Sequence, residues 1–274
     1  MLYTRKTFGF EHSVKDADCV LVGIPFDSTE IGRPVRYGPL FIRESIKNLE
    51  GHDPETEINP FAKLKFADVG DVEIVPGSWK LTRERIVDTV KEILESNKNI
   101  FPVFLGGEHL ITYGILEAFL KFYKKLTVVH IDAHRDLFSE WMGNKYSHIT
   151  WAYRAVKDFG IDLRQIGFRI WRPEEEEFAR KDKIKEDLTE IKNPVYLTVD
   201  IDVLDPSVAP EVGTPEPNGM YLENLLILIR DVFKNKVIGM DVVECASDAL
   251  HTSTALSAAY IIKKSLCYYI KNKI

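Results

Sequence analysis

The chain has 274 residues, 45% of them hydrophobic, which is enough apolar content to bury the core of one large α/β domain. Its formal net charge of −6 argues against nucleic acid or an anionic membrane as the main partner. No apolar run approaches the roughly 18 residues of a membrane span, and Met1-Leu2-Tyr3-Thr4-Arg5-Lys6 leads into no signal-type stretch, so a cytoplasmic location is expected. The three scattered cysteines, Cys19, Cys245 and Cys267, read as buried thiols of a reducing compartment. Gln165 is the only glutamine, beside abundant Lys, Glu and Ile, a bias found in heat-adapted proteins.

Short apolar runs alternate with longer amphipathic segments, the pattern of a mainly parallel sheet covered by helices on both faces. In chain order the pattern predicts strand 19–24, helix 39–49, strand 64–69, helix 82–96, strand 101–105, helix 112–123 and strand 126–132. It continues with helix 150–157, strand 164–168, helix 174–181, strand 195–201, helix 222–233, strand 237–243 and helix 255–270. The acidic run 174–177 reads as a solvated helix start, where negative charge suits the dipole. No linker, repeat or low-complexity tract interrupts the pattern, so residues 1–274 are expected to form a single domain. In such folds the active site lies where loops leave the carboxyl ends of the strands.

Three strand ends carry metal-capable side chains. The run from Leu126 ends in Asp132-Ala133-His134-Arg135-Asp136, and in extended backbone residues i, i+2 and i+4 share a face, so Asp132, His134 and Asp136 are expected to converge. The run from Val195 delivers Asp200 and Asp202 at i and i+2. Strand 101–105 meets Gly106-Gly107-Glu108-His109, where paired glycines would let the backbone turn tightly before an imidazole. Turn and capping chemistry would account for one such aspartate, but poorly for five residues in two same-face rows. If the ends meet, four carboxylates share one pocket and cannot all stay ionised without compensation, which two divalent cations would supply. His130, inside its strand, reads as a satisfied core histidine.

Together these three segments resemble the ureohydrolases, the arginase and agmatinase family, in order and spacing. Gly23-Ile24-Pro25-Phe26-Asp27, Arg33-Pro34, Gly38-Pro39, Asp200-Ile201-Asp202-Val203-Leu204-Asp205-Pro206, Gly213-Thr214-Pro215-Glu216-Pro217 and Asp241-Val242-Val243-Glu244 extend the resemblance over nearly the whole chain. It implies a three-layer α/β/α sandwich around a mainly parallel, eight-stranded sheet of the arginase/deacetylase type, with two Mn2+ ions. His109, Asp132, Asp136 and Asp200 would hold one ion, and Asp132, His134, Asp200 and Asp202 the other, with Asp132 and Asp200 bridging. A carboxylate-rich set with two imidazoles and no thiolate suits Mn2+ better than structural Zn2+. A dication pair can bring the pKa of a shared water down toward about 7, giving a bridging hydroxide that could attack a guanidinium carbon.

The resemblance assigns Glu244 to guanidinium binding and His148 to proton shuttling, with Asp136 beside them in the catalytic set. The family often has glycine after that histidine, and Ile149 departs from the pattern. Arginases typically place an asparagine where this chain has Phe138, so recognition of an α-amino carboxylate is disfavoured and agmatine is the expected substrate, cleaved to putrescine and urea. Arg135 is read either as a solvent-facing side chain or as a residue of the mouth that could pair with the carboxylate of guanidinobutyrate. The competing readings are a guanidinobutyrase or arginase, a dinuclear phosphoesterase, for which the chain lacks an Asn-His-Glu element and a basic cluster, and a non-catalytic binding protein of the same fold. The resemblance implies a homo-oligomer, trimer or hexamer. The terminal helix, with Tyr260, Tyr268 and Tyr269, reads as core or interface, and Cys245 beside Glu244 has no assigned role.

Overall fold

The structure, a computed structural model, describes residue 10, residues 12–28 and residues 32–273; the opening segment considered above for a leader lies outside this range. Seven strands form one sheet: β1 (Cys19–Ile24), β2 (Phe66–Asp71), β3 (Phe101–Gly106), β4 (Thr127–Ile131), β5 (Asp162–Ile166), β6 (Val195–Asp200) and β7 (Val237–Val243). Their order across the sheet is β2-β1-β3-β7-β6-β4-β5, with each neighbouring pair parallel. The five inner strands are buried along their whole length, as continuous Val/Ile/Leu runs require, whereas the edge strands β2 and β5 carry partly exposed positions.

Eight strands were expected from the resemblance, and the described residues form seven. Beyond β5 the chain makes one isolated parallel bridge, Arg164 with Lys185. The segment that would extend it, Asp182-Lys183-Ile184-Lys185-Glu186-Asp187, has five charges in six residues and no apolar row to bury.

The helices are α1 (Gly38–Ile46), α2 (Pro60–Lys63), α3 (Trp79–Ser96), α4 (Ile111–Phe119), α5 (Trp151–Phe159), α6 (Pro173–Lys181), α7 (Leu222–Val232) and α8 (Ser253–Lys273). Alternation along the strands splits the core. Val20, Val22, Ile24 and Phe104 pack with residues of α3, α4, α5 and α6, whereas Cys19, Leu21, Val103 and Leu105 pack with α1, α7 and α8 on the other face. This is the three-layer sandwich. The short α2 is absent from the periodic pattern because four residues give no helical period. In α8, Tyr268 and Tyr269 belong to the core, and Lys263 and Lys264 are buried beside them.

At the acidic start of α6 Glu174 and Glu177 are solvated, Glu176 is half-buried against Arg135, and Glu175 is buried and accepts the N–H groups of Arg172 and Leu137 at 2.9 and 3.0 Å. Gly107 serves a different purpose from the tight turn expected of it: a side chain there would meet the Phe26 carbonyl oxygen at 2.0 Å, so the position demands space and not a left-handed backbone. Among the described residues no helix is long and apolar enough to cross a membrane.

Candidate active site

Four adjacent strands, β3, β7, β6 and β4, supply the site from their carboxyl ends: His109 after β3, Glu244 after β7, Asp200 and Asp202 from β6, and Asp132, His134 and Asp136 after β4. The side chains do not converge by strand alternation. β4 ends at Ile131, and the Asp132 carboxylate Oδ1 then accepts the N–H of His134 at 2.6 Å, bending the chain. β6 ends the same way, with Asp200 Oδ1 accepting the N–H of Asp202 at 2.8 Å at the start of a 3-10 turn. Asp136 is carried inward by a left-handed backbone, φ 55°. Asp202 Oδ1 accepts the N–H of Ala133 at 3.1 Å and ties the two bends together.

The cluster has two centres. His109 Nδ1 lies 3.1, 3.4 and 3.2 Å from carboxylate oxygens of Asp132, Asp136 and Asp200. His134 Nδ1 lies 3.0 Å from Asp202 Oδ2 and 3.3 Å from Asp132 Oδ1. Asp132 therefore faces both. His109 Nδ1 is buried and makes no hydrogen bond. Its other nitrogen, Nε2, is 2.8 Å from the Thr198 hydroxyl, which itself donates to Asp241 and so must accept from Nε2–H. The Nδ1 lone pair is left bare and faces three carboxylates, which fits a cation between them.

The charges show the same demand. Burial pushes the Asp136 and Asp200 carboxyls well above the usual range, reinforced at Asp136 by Asp132 and at Asp200 by Asp202 and Asp132. For Asp132 burial acts the same way but is outweighed by His130 and His134, which hold it well below. Burial opposes charge on His134 too, yet Asp202 and Asp132 push its pKa up to about 12. Protons, or cations in their place, must offset the carboxylates. His130 is near enough to this cluster to be a candidate donor, but its Nε2 is taken by Asp132 Oδ2 at 2.6 Å, the satisfied core histidine expected from the sequence.

Glu244 stands beside the first centre with φ 64°; its Oε1 accepts the backbone N–H of His109 at 2.7 Å, and burial, then Glu108, pushes its carboxyl well up. Its Oε2 is kept accessible by Gly213, where a side chain would stand 2.7 Å away. An inner cavity of about 70 Å3 is lined by His109, His134, His148, Ile149, Asp200 and Glu244. An outer one of about 170 Å3 adjoins it, walled by Phe138, Trp141, Ile149, Ile170, Trp171 and Arg172. Arg172 sets its guanidinium 5.3 Å over Phe138 and 5.4 Å over Trp141.

Arg135 is neither solvent-facing nor a pairing group at the mouth. It is 2% exposed, its Nη2 sits 2.8 and 2.7 Å from Glu176 and Glu186, and the guanidinium lies 3.7 Å over Phe168. Cys245 is buried with its sulfur 3.4 Å from the Ser247 hydroxyl, and burial pushes the thiol up, the condition of an inert core cysteine.

Two neighbours of the cluster were not singled out from the sequence. Trp151 donates to Asp136 Oδ2 at 2.8 Å and stacks on His109 at 4.6 Å. Thr198 lies two residues before Asp200 on the same face of β6, so the period-2 reading could have found it; Trp151 starts a helix and gives no such signal.

Comparison with known proteins points to the same chemistry. The family model described as the arginase family matches residues 17–267. The chain is 34% identical to the agmatinase of Pyrococcus horikoshii, over 96% of this chain and 96% of that protein. It is likewise 34% identical to the N(1)-aminopropylagmatine ureohydrolase of Thermococcus kodakarensis, over 97% and 96%. Among solved structures, the proclavaminate amidino hydrolase of Streptomyces clavuligerus superposes with a TM-score of 0.88 at 28% identity, covering 98% of this chain and 99% of that one.

Proposed function

From the premise that this chain belongs to the arginase family, we propose that it is a ureohydrolase that cleaves agmatine to putrescine and urea at a pair of Mn2+ ions. The observation that supports it most is the bare His109 Nδ1 facing three carboxylates, with a second imidazole at the other oxygen of Asp132. His109, Asp132, Asp136 and Asp200 would hold one ion, and Asp132, His134, Asp200 and Asp202 the other. When bound, the two ions would supply the Lewis acidity that deprotonates water near neutral pH.

The chain's own residues do the rest. Glu244 keeps one oxygen on the His109 N–H and offers its carboxylate edge to the planar guanidinium, orienting the central carbon toward the cluster. Oxygen from water bonds to that carbon, the carbon–nitrogen bond to the alkyl chain breaks, and His148 at the cavity wall delivers the proton with which the amine departs. Phe138, Trp141 and Trp171 exclude water around the methylene tail. As a single domain, the chain is proposed to assemble as a trimer or hexamer in the cytoplasm, an assembly that light scattering would detect or refute.

A second reading within the family, hydrolysis of a guanidino acid such as guanidinobutyrate, is favoured by one observation: Arg172 puts a cation at the outer cavity, where a carboxylate tail could reach it. Urea release by the Mn2+-loaded protein from agmatine, aminopropylagmatine, guanidinobutyrate and arginine separates these. Agmatine is expected to be turned over fastest and arginine least. Turnover of guanidinobutyrate without agmatine, lost in R172Q, would replace the substrate assignment, and phosphatase activity on an aryl phosphate without urea release would replace the reaction.

A further inference from the structure

The single glutamine of the chain is not part of the cavity wall; it is buried in β5, behind the metal cradle. Gln165 Oε1 accepts from Arg135 Nη1 at 3.3 Å, while its Nε2 donates to the Arg135 carbonyl at 2.6 Å and to His130 Nδ1 at 3.0 Å. Arg135 thus presents a donor to one end of the amide and an acceptor to the other, and only one orientation satisfies both. Arg135 cannot swing away, because Glu176 and Glu186 hold its far end and Phe168 lies under it.

An amide nitrogen only donates, so His130 Nδ1 must accept. The ring hydrogen then resides on Nε2, which points at Asp132 Oδ2 at 2.6 Å. Asp132 is held at both oxygens: Oδ2 by the His130 ring and Oδ1 by the His134 backbone N–H. What remains of each oxygen faces one centre, Oδ2 at 3.1 Å from His109 Nδ1 and Oδ1 at 3.3 Å from His134 Nδ1.

We propose that Gln165 and His130 are positioning residues: the amide fixes the imidazole tautomer, and the neutral imidazole N–H clamps Asp132 in the pose that spans the two metal centres. This inference rests on the dinuclear reading above and adds to it the source of the bridge's rigidity. Outer partners of this kind typically set metal affinity by 10- to 100-fold. The bend at Asp132 is made by the chain's own N–H and survives without His130, so a variant at 130 keeps the fold and loses the clamp.

Two measurements test it. Ring nitrogen-15 shifts of His130 in metal-free, histidine-labelled protein should show the neutral Nε2–H form in the wild type and a mixture of tautomers in Q165M. Equilibrium dialysis against Mn2+ with metal analysis should show H130F binding the pair about 10- to 100-fold more weakly while the metal-free protein keeps a cooperative melting transition, and H130Q, whose amide can again donate to Asp132, recovering most of the loss. Should H130F not fold, Q165M carries the same comparison. A wild-type ring with its hydrogen on Nδ1 overturns the proposal, as does wild-type affinity in H130F. Wild-type protein that binds no pair of ions overturns this and the proposed function together, whereas two tight ions in both proteins overturn the clamp alone.

Discussion

Asp200 carries the largest consequence of any one side chain, because its removal withdraws an oxygen from beside His109 Nδ1 and also the cap that bends the chain at Asp202. D200A should therefore lose bound Mn2+ and turnover together, read as metal per chain beside urea release; full activity with one ion per chain would remove Asp200 from the bridge. His148 should behave oppositely. H148A should keep its metal and slow turnover by about 10² to 10⁴, the usual reach of a positioned acid or base, and a rate loss that tracks metal loss would make it structural. E244Q retains an oxygen for the His109 N–H and loses the charge that faces the guanidinium. A drop in kcat/KM of about 10- to 100-fold is expected, the scale of one charge-assisted hydrogen bond. The His/Asp cluster itself was legible because turns and caps seldom place Asp and His together at the ends of several buried apolar runs. How they meet was not. The bends at Asp132 and Asp200 and the left-handed Asp136 arise from local side-chain to backbone hydrogen bonds, which hydrophobic periodicity does not encode, and the fate of Arg135 depended on Glu176 and Glu186, distant in sequence.

Among the elements, α8 depends on polar contacts as well as packing. Lys264, buried within it, sits 2.9 Å from Asp53 and also contacts Glu55, fastening the loop before α2 to the helix. K264M leaves the Asp53 carboxylate buried without its cation and should cost about 3 to 5 kcal/mol in urea unfolding, while the distant site keeps its metal. Burial would raise the Asp53 carboxyl, but Thr56 and Lys264 outweigh it and hold it below its ordinary value. A depressed carboxyl contributes stability in full above the unfolded value, near pH 4, and loses it as pH falls through the folded one. The advantage of wild type over D53N should thus shrink as pH is lowered from about 5 to about 2, and an advantage that grows would contradict the pairing. Strands and helices were readable because inner parallel strands are apolar throughout and helices keep a 3.6-residue period. Their ends drift by one to four residues, as at 112–123 against Ile111–Phe119 and at 164–168 against Asp162–Ile166, where charged Asp162 and Arg164 pair within an edge strand.

For the molecule as a whole, the proposed ion pair would make stability depend on ions. A ligand bound only by the folded form contributes about 4 kcal/mol at a thousand times its dissociation constant, so Mn2+ should raise the melting temperature by several degrees and chelation reverse it. D200A should show a much smaller rise; equal shifts in both proteins would locate the stabilising ion elsewhere. The seven-stranded sheet has a further consequence for how the protein is made. The donors come from β3, β4 and β6, between residues 109 and 202, and Glu244 follows after β7. A polypeptide emerging from the ribosome carries only one centre's imidazole until residue 134 appears, and lacks Asp200 and Asp202 until the sixth strand has been translated. On the proposed dinuclear reading, nascent fragments that end before β6 would lack the oxygens to hold a pair of ions, and metal uptake would follow translation of the central strands.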